Sequence, residues 1–317
     1  MSKSLKIAFF GTPEFATGVL QELHHSRHEV VVVITAPDKP AGRGRRIHES
    51  DVKQYAVQNE IPVLQPTNLK SEDFVAELKT FGADLQVIVA FRMLPKIVWS
   101  LPPMGTFNLH ASLLPQYRGA APINWAIING ESKTGVTTFF IDEKIDTGAI
   151  IQQREIPIEK DENVGSLYKK LMELGAKLSL ETVDAIADGQ VETISQQEHQ
   201  NLQPAPKLNP TNTTLDFSLT AREVDAMVRG LYPYPVAKAC LINGERTQVK
   251  IHKTKVVEKK HAMSPGSIVV EDRKIMVACA TNLIEIEEIQ LPNKKRMSVK
   301  DLLNGYSINA EARFDVG

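Results

Sequence analysis

Residues 5–34 read LKIAFFGTPEFATGVLQELHHSRHEVVVVI, and this stretch decides the fold class. Leu5–Phe10 is an apolar run of strand length that ends in the tight turn Gly11-Thr12-Pro13. A helix from about Glu14 to Ser26 is predicted next, and Val30–Ile34 follows as an unbroken β-branched run. A strand without alternation is covered on both faces, because neither face meets water. Strand, tight turn, helix and buried strand open a doubly wound α/β sheet. The turn lacks the G-x-G-x-x-G spacing, which disfavours a dinucleotide.

Outward from this start, helical patterns near Ser50–Asn59 and Glu72–Thr80 lead to a strand over Leu85–Ala90. Thr106–His110 is the next predicted strand and Ala121–Asn129 a helix. Val136–Ile141 and Ile150–Ile158 are strands flanking a turn that carries Asp146. Val164, Leu167, Leu171, Leu174, Leu178 and Ile186 recur at helical spacing along an amphipathic helix that Gly189 stops. Residues 190–207 are polar and end in Pro204 and Pro206, the composition of a linker. Beyond it lie one helical pattern in Asp216–Gly230 and short alternating strands. These are separated by Asn243-Gly244, Ser264-Pro265-Gly266 and Thr281-Asn282, the signature of a small β-barrel. The expected organisation is a Rossmann-like α/β domain over 1–189, a linker over 190–207 and a barrel domain over 208–317.

A length of 317 residues suits two domains, and 42% hydrophobic with 24% charged residues is an ordinary globular composition. No apolar run approaches the ~20 residues that span a bilayer. The start MSKSLKIAFF is too short in its apolar part for a signal peptide and runs into a strand. Cys240 and Cys279 give neither a metal site nor a disulfide pattern, so a reducing cytoplasm is expected. His24 and His28 stand at i, i+4, but no third ligand accompanies them; surface histidines and no metal are expected. The net charge of −1 hides local patches. Lys39, Arg43, Arg45 and Arg46 share one glycine-rich loop. Arg246, Lys250, Lys253, Lys255, Lys259 and Lys260, then Lys294, Lys295 and Arg296, crowd the C-terminal third. Such a distribution suits an enzyme that grips a nucleic acid on one side.

The chemistry concentrates in residues 105–123, GTFNLHASLLPQYRGAAPI, and 141–150, IDEKIDTGAI. Asn108 and His110 are two apart, so an extended strand points both to one face. Asp146 sits in the following turn. An amide and an imidazolium can hold a developing oxyanion. An imidazole can move a proton, and a carboxylate can orient it. Together they form a plausible acyl-transfer site.

The pattern N-x-H-x-S-L-L-P…R-G-A-A-P-I, with a downstream D-x-G-x-I, resembles the folate-dependent formyltransferases. FFGTPEFA near the start, PDKPAGRGRR after the second strand and APKL extend the resemblance over nearly the whole chain. PAGRG and the C-terminal third are similar to the branch that acts on tRNA. The resemblance implies transfer of the formyl group of 10-formyltetrahydrofolate to the amino group of initiator Met-tRNA, by a monomer without a metal, with an OB-like C-terminal barrel. It implies that Ser112, Leu113, Leu114 and Pro115 contact the folate, and that Arg43, with Lys39, Arg45 and Arg46, contacts the tRNA acceptor arm. Asn108 and His110 then stabilise the tetrahedral oxyanion, one such donor being worth ~3–4 kcal/mol. Proton transfer from amine to folate N10 by a positioned acid/base adds roughly 10²–10⁴-fold. Asp146 orients or charge-stabilises His110, or holds a relaying water. Phe91-Arg92-Met93-Leu94-Pro95 matches the family's pocket segment A-[FY]-G-x-x-L-P, one residue shorter and with Arg92 where a small residue is expected. Formyl transfer to an amino sugar or another small amine, hydrolysis of the same folate, and a catalytically dead tRNA-binding protein are the rivals; formyl release that needs charged tRNA separates them.

Overall fold

The computed structural model describes residues 3–41, 46–197 and 201–316. In chain order the elements of the first part are β1 Lys6–Gly11, α1 Glu14–His24, β2 Glu29–Ile34, β3 Lys39–Ala41, β4 Arg46–His48, α2 Asp51–Gln58, β5 Val63–Leu64, α3 Glu72–Thr80, β6 Leu85–Val89, α4 Lys96–Trp99 and β7 Thr106–His110. Then come α5 Pro122–Ile128, β8 Lys133–Phe140, β9 Ile150–Pro157, α6 Val164–Ala187 and α7 Ala221–Leu231. The last are β10 Ala237–Asn243, β11 Glu245–Lys260, β12 Ile268–Glu271, β13 Lys274–Ala278, β14 Asn282–Gln290, β15 Met297–Ser298, α8 Val299–Leu302 and β16 Arg313–Phe314. They form two compact units. One comprises Met1–Gly119, Thr134–Ile156 and Tyr168–Pro204; the other comprises Ala120–Lys133, Pro157–Leu167 and Ala205–Gly317.

In the first unit the sheet order is β5-β2-β1-β6-β7-β8-β9. The strands from β5 to β7 are parallel, and β8 is antiparallel to β7. The chain leaves β1 outward to β2 and β5, then returns to β1's other side as β6. The carboxyl ends of β1 and β6 therefore meet at a topological switch point, where such sheets leave a ligand crevice. All five residues of β6 are buried, Gln86 among them, whose Oε1 accepts from the Thr106 hydroxyl at 3.1 Å. One face packs Phe10, Val32, Ile34 and Ile88 against Phe74 and Leu78 of α3 and Val98 of α4. A Cβ on Gly175 of α6 would stand 2.7 Å from Leu109 Cδ2, so α6 presses close on β7.

Helix α1 stops two residues before the predicted end, where the Ser26 hydroxyl donates to the Leu23 carbonyl at 2.6 Å. His28 therefore lies beyond the helix and shares no face with His24. It is 5% exposed rather than a surface group. Its Nδ1 accepts from the Leu5 N–H at 3.1 Å and its Nε2 donates to Asp184 Oδ1 at 3.0 Å. The expected surface pair is thus corrected: His28 is a buried strut between β1 and α6.

The basic loop contains a feature the sequence reading omits, the two-stranded β3–β4 hairpin. Lys53 of α2 joins its two ends, with Nζ 2.5 Å from Asp38 Oδ2 and 2.8 Å from Glu49 Oε1. Those hydrogen bonds hold the Asp38 carboxyl below its ordinary range and the Lys53 ammonium above its own. Lys39 is exposed at the start of β3. Arg43 and Arg45 lie outside the described residues; the backbone of Arg46 begins β4.

The second unit is an antiparallel sheet of order β12-β13-β14-β11-β10-β16, with β15 beside β14. A bridge between Ser267 and Arg313 brings its two ends together, giving a nearly closed barrel. Thr220 and Glu223 start α7 with a reciprocal capping box. Val224, Val228 and Leu231 of that helix join Leu241, Ile251, Ile286 and Phe314 in the barrel core. Cys279 is buried there, and burial pushes its thiol up to about 12, which removes it as a nucleophile at neutral pH.

Candidate active site

Strand β7 ends at His110, one strand beyond the switch point. Asn108 is paired with Ile88 of β6 and Phe139 of β8, and His110 faces Thr137 of β8. Strands on both sides thus fix the backbone of Asn108, and β8 that of His110. The Asn108 amide is half-buried and makes no side-chain hydrogen bond among the described residues. His110 is 7% exposed. Its Nε2 lies 2.9 Å from the Tyr117 carbonyl oxygen. A carbonyl only accepts, so Nε2 carries the proton and Nδ1 is left for chemistry. Nδ1 is 3.9 Å from Asp146 Oδ2. That separation exceeds a hydrogen bond, so it is the Tyr117 carbonyl that fixes the ring's orientation.

The two loops that hold this pair are bent the same way. Tyr117 has φ 60° and Asp146 φ 55°, both left-handed, as is Ala90 (φ 48°) just beyond β6. Each such non-glycine residue costs about 1–2 kcal/mol and persists only where its neighbours over-determine it. The Tyr117 N–H donates to the Gln203 carbonyl at 2.7 Å. Asp146 Oδ2 accepts the Gly119 N–H at 3.1 Å, and the Asp146 carbonyl accepts from Gln196 Nε2 at 3.0 Å. Gly148 explains the D-x-G spacing, because a Cβ there would lie 1.6 Å from the Phe140 carbonyl oxygen.

Ser112–Pro115 forms the turn after β7. The Ser112 hydroxyl is buried and donates to the Gln116 carbonyl at 2.7 Å. The Leu114 side chain is buried; its N–H donates to Thr137 Oγ1 and its carbonyl accepts from Gln153. Leu113 and Pro115 remain half-buried. Arg92 donates to the Pro66 and Thr67 carbonyls and lies over the Phe91 ring, so it ties the shortened segment to the loop after β5. Lys96 Nζ, 2.7 Å from Glu143 Oε1, draws the segment after β6 toward the Asp146 turn. Around that bridge Met93, Ile97 and Ile145 expose large apolar side chains.

The structure thus brings Asn108, His110 and Asp146 together and places Ser112–Pro115 beside them. The sequence reading missed Tyr117, Gly119 and Gln196. Gly119 stands inside the R-G-A-A-P block already singled out, whereas Gln196 lies in the polar stretch and carries no local signal. Among the described residues, no three His, Cys, Asp or Glu side chains gather as a metal group. No helix among the described residues is long and apolar enough to cross a membrane.

Comparison with known proteins adds an independent line. Residues 5–183 match the family described as formyl transferase, and residues 207–307 match the formyl transferase C-terminal domain. The chain is 51% identical over 312 residues to a methionyl-tRNA formyltransferase of Flavobacterium johnsoniae, covering 98% of this chain and 99% of that one. It is 49% identical over 312 residues to that of Bacteroides fragilis, covering 96% of each. Among solved structures, the sugar 3N-formyl transferase WlaRD superposes with a TM-score of 0.66 at 21% identity, covering 92% of this chain and all of that one.

Proposed function

The chain belongs to the formyl transferase family, and from that premise we propose that it moves the formyl group of 10-formyltetrahydrofolate onto the amino group of initiator Met-tRNA. It is an enzyme, a transferase of one-carbon units. The observation that carries the acceptor is the pair of relatives at about half identity over nearly the full length, each named a methionyl-tRNA formyltransferase. The sugar enzyme shares the fold at 21% identity, so a small acceptor is not favoured.

The formyl donor fits the residues at the strand ends. Leu113 and Pro115 are half-buried, Met93 and Ile145 are exposed, and the Asn108 amide is unspent among the described residues, so apolar surface and a free donor are on hand for a flat ring system bearing a formyl group. The folate supplies an activated formyl group. Asn108 donates a hydrogen bond to the formyl oxygen as negative charge develops there. His110 takes the proton of the attacking amine at Nδ1, since Nε2–H is held by Tyr117, and gives it to folate N10 as the tetrahedral intermediate collapses and the formyl–N10 bond breaks. Asp146, 3.9 Å away, stabilises the resulting imidazolium through its charge. Lys39, Arg43, Arg45 and Arg46 neutralise tRNA phosphates.

In this reading residues 1–189 are the catalytic domain and 208–317 a tRNA-binding domain, and the protein works as a cytoplasmic monomer. The test is formyl transfer from 10-formyltetrahydrofolate to initiator Met-tRNA, elongator Met-tRNA and no acceptor. Transfer confined to the initiator is expected. Folate turnover without tRNA overturns the reading.

A further inference from the structure

We propose that Gln196 is a positioning residue of this active site, acting through Asp146. It lies in the polar stretch after α6, in the same compact unit as the site. Its single amide makes four contacts. Nε2 donates to the Asp146 carbonyl at 3.0 Å and to the Gly148 carbonyl at 2.8 Å. Oε1 accepts from Arg118 Nε at 3.2 Å and Nη2 at 2.6 Å. Two residues earlier, Ile194 bridges to Ile150, the first residue of β9, and so fixes the approach of the side chain.

The consequence follows from what each partner does. Asp146 and Gly148 are the two ends of D-x-G, and their carbonyls are pinned to one amide group. Arg118 belongs to the loop that presents the Tyr117 carbonyl to His110 and the Gly119 N–H to Asp146. Gln196 thus joins the loop that orients the imidazole to the turn that carries the carboxylate. It keeps Asp146 in its left-handed conformation, at the 3.9 Å separation at which its charge reaches Nδ1. An amide alone meets both demands, because it donates on one side and accepts on the other. A carboxylate would still accept from Arg118 but would face two carbonyls with no proton to give.

The inference rests on the proposed role of Asp146 and holds whichever amine is the acceptor. The experiment uses the full-length enzyme. Gln196→Glu, and Gln196→Ala as a second variant, are expected to lower kcat by about 10- to 100-fold, the scale of a small misplacement. KM for the formyl donor and for Met-tRNA should stay within about 2-fold, a split that loss of binding does not produce. Gln197→Glu, one residue on and exposed, leaves turnover unchanged. In an Asp146→Asn background the Gln196 substitutions should cost little more, because the residue acts through Asp146. Nitrogen NMR of the His110 ring gives a readout independent of turnover; its resonances should move in both Gln196 variants. Wild-type kcat, a loss carried by KM, additive losses in the double variants or unmoved His110 resonances each overturn the inference. If the wild type fails to formylate Met-tRNA, the acceptor assignment falls, while the ring resonances still decide the role of Gln196.

Discussion

At the end of β7, His110 is 7% exposed and its ring is fixed by a backbone carbonyl 2.9 Å away. On β11, the Lys253 side chain is 63% exposed, and its ammonium pairs with Glu287 of β14 at 2.8 Å. The first region spends backbone strain to hold a few atoms still. The second spends almost nothing, since an exposed pair is worth about 0–1 kcal/mol and is screened by salt. Lys274 with Glu285, Arg296 with Glu288 and Arg246 with Asp315 repeat the pattern around the barrel. Arg246, Lys253 and Arg296, which the sequence counts among the cations of one basic stretch, are each paired with a carboxylate in space. Placement near backbone marks the chemistry; a count of charges does not by itself mark a binding face.

Substitutions should separate the two regions by orders of magnitude. His110→Ala is expected to lower kcat by roughly 10²–10⁴-fold, with Asn108→Ala next at roughly 10²–10³-fold, both folded by circular dichroism. Near-normal turnover in either folded variant would break the comparison at its catalytic end. Arg43→Glu should raise KM for tRNA by about 10-fold and flatten its salt dependence, with KM for folate unchanged. Lys253→Glu, a reversal within a paired charge set, should do much less; equal effects would show that paired barrel cations bind tRNA as strongly as Arg43. The smallest effect concerns His252, whose pKa burial lowers, aided by Arg296 and opposed by its hydrogen bond to Gln290. A lowered histidine pKa means the folded state binds fewer protons, so this stability is present above the ordinary value near 6.5 and is lost as pH falls below it. Melting temperature should therefore fall slightly from pH 7.5 to 5, and less so in His252→Gln.

The parallel core was legible because its signal is local. Val30–Ile34 is apolar without alternation, and Leu85–Val89 is so but for Gln86, the pattern of strands buried on both faces. Asn108 and His110 were legible because period two on a strand is a fixed geometry. His28 was misread because a histidine's burial depends on Asp184, 156 residues away. The β3–β4 hairpin was missed because three-residue strands carry no period, and the ends that Lys53 joins become neighbours only once α2 is folded. Gln196 was invisible for the same reason: its partners lie 48 to 78 residues away in sequence, in a stretch whose composition reads as linker.

The way the parallel sheet ends has a consequence for the protein in a crowded solution. An open sheet offers each outer strand as a template on which a strand of another chain can grow. Here one outer strand, β5, is only two residues long, too short to seed such growth. The other, β9, is met at Ile150 by Ile194 of its own chain and exposes Arg154 and Glu155 farther along. In the barrel the Ser267–Arg313 bridge brings the outermost strands to one another. The segment that holds the Asp146 turn also covers the start of the outer strand, so loosening it is expected to favour aggregates before it unfolds the core.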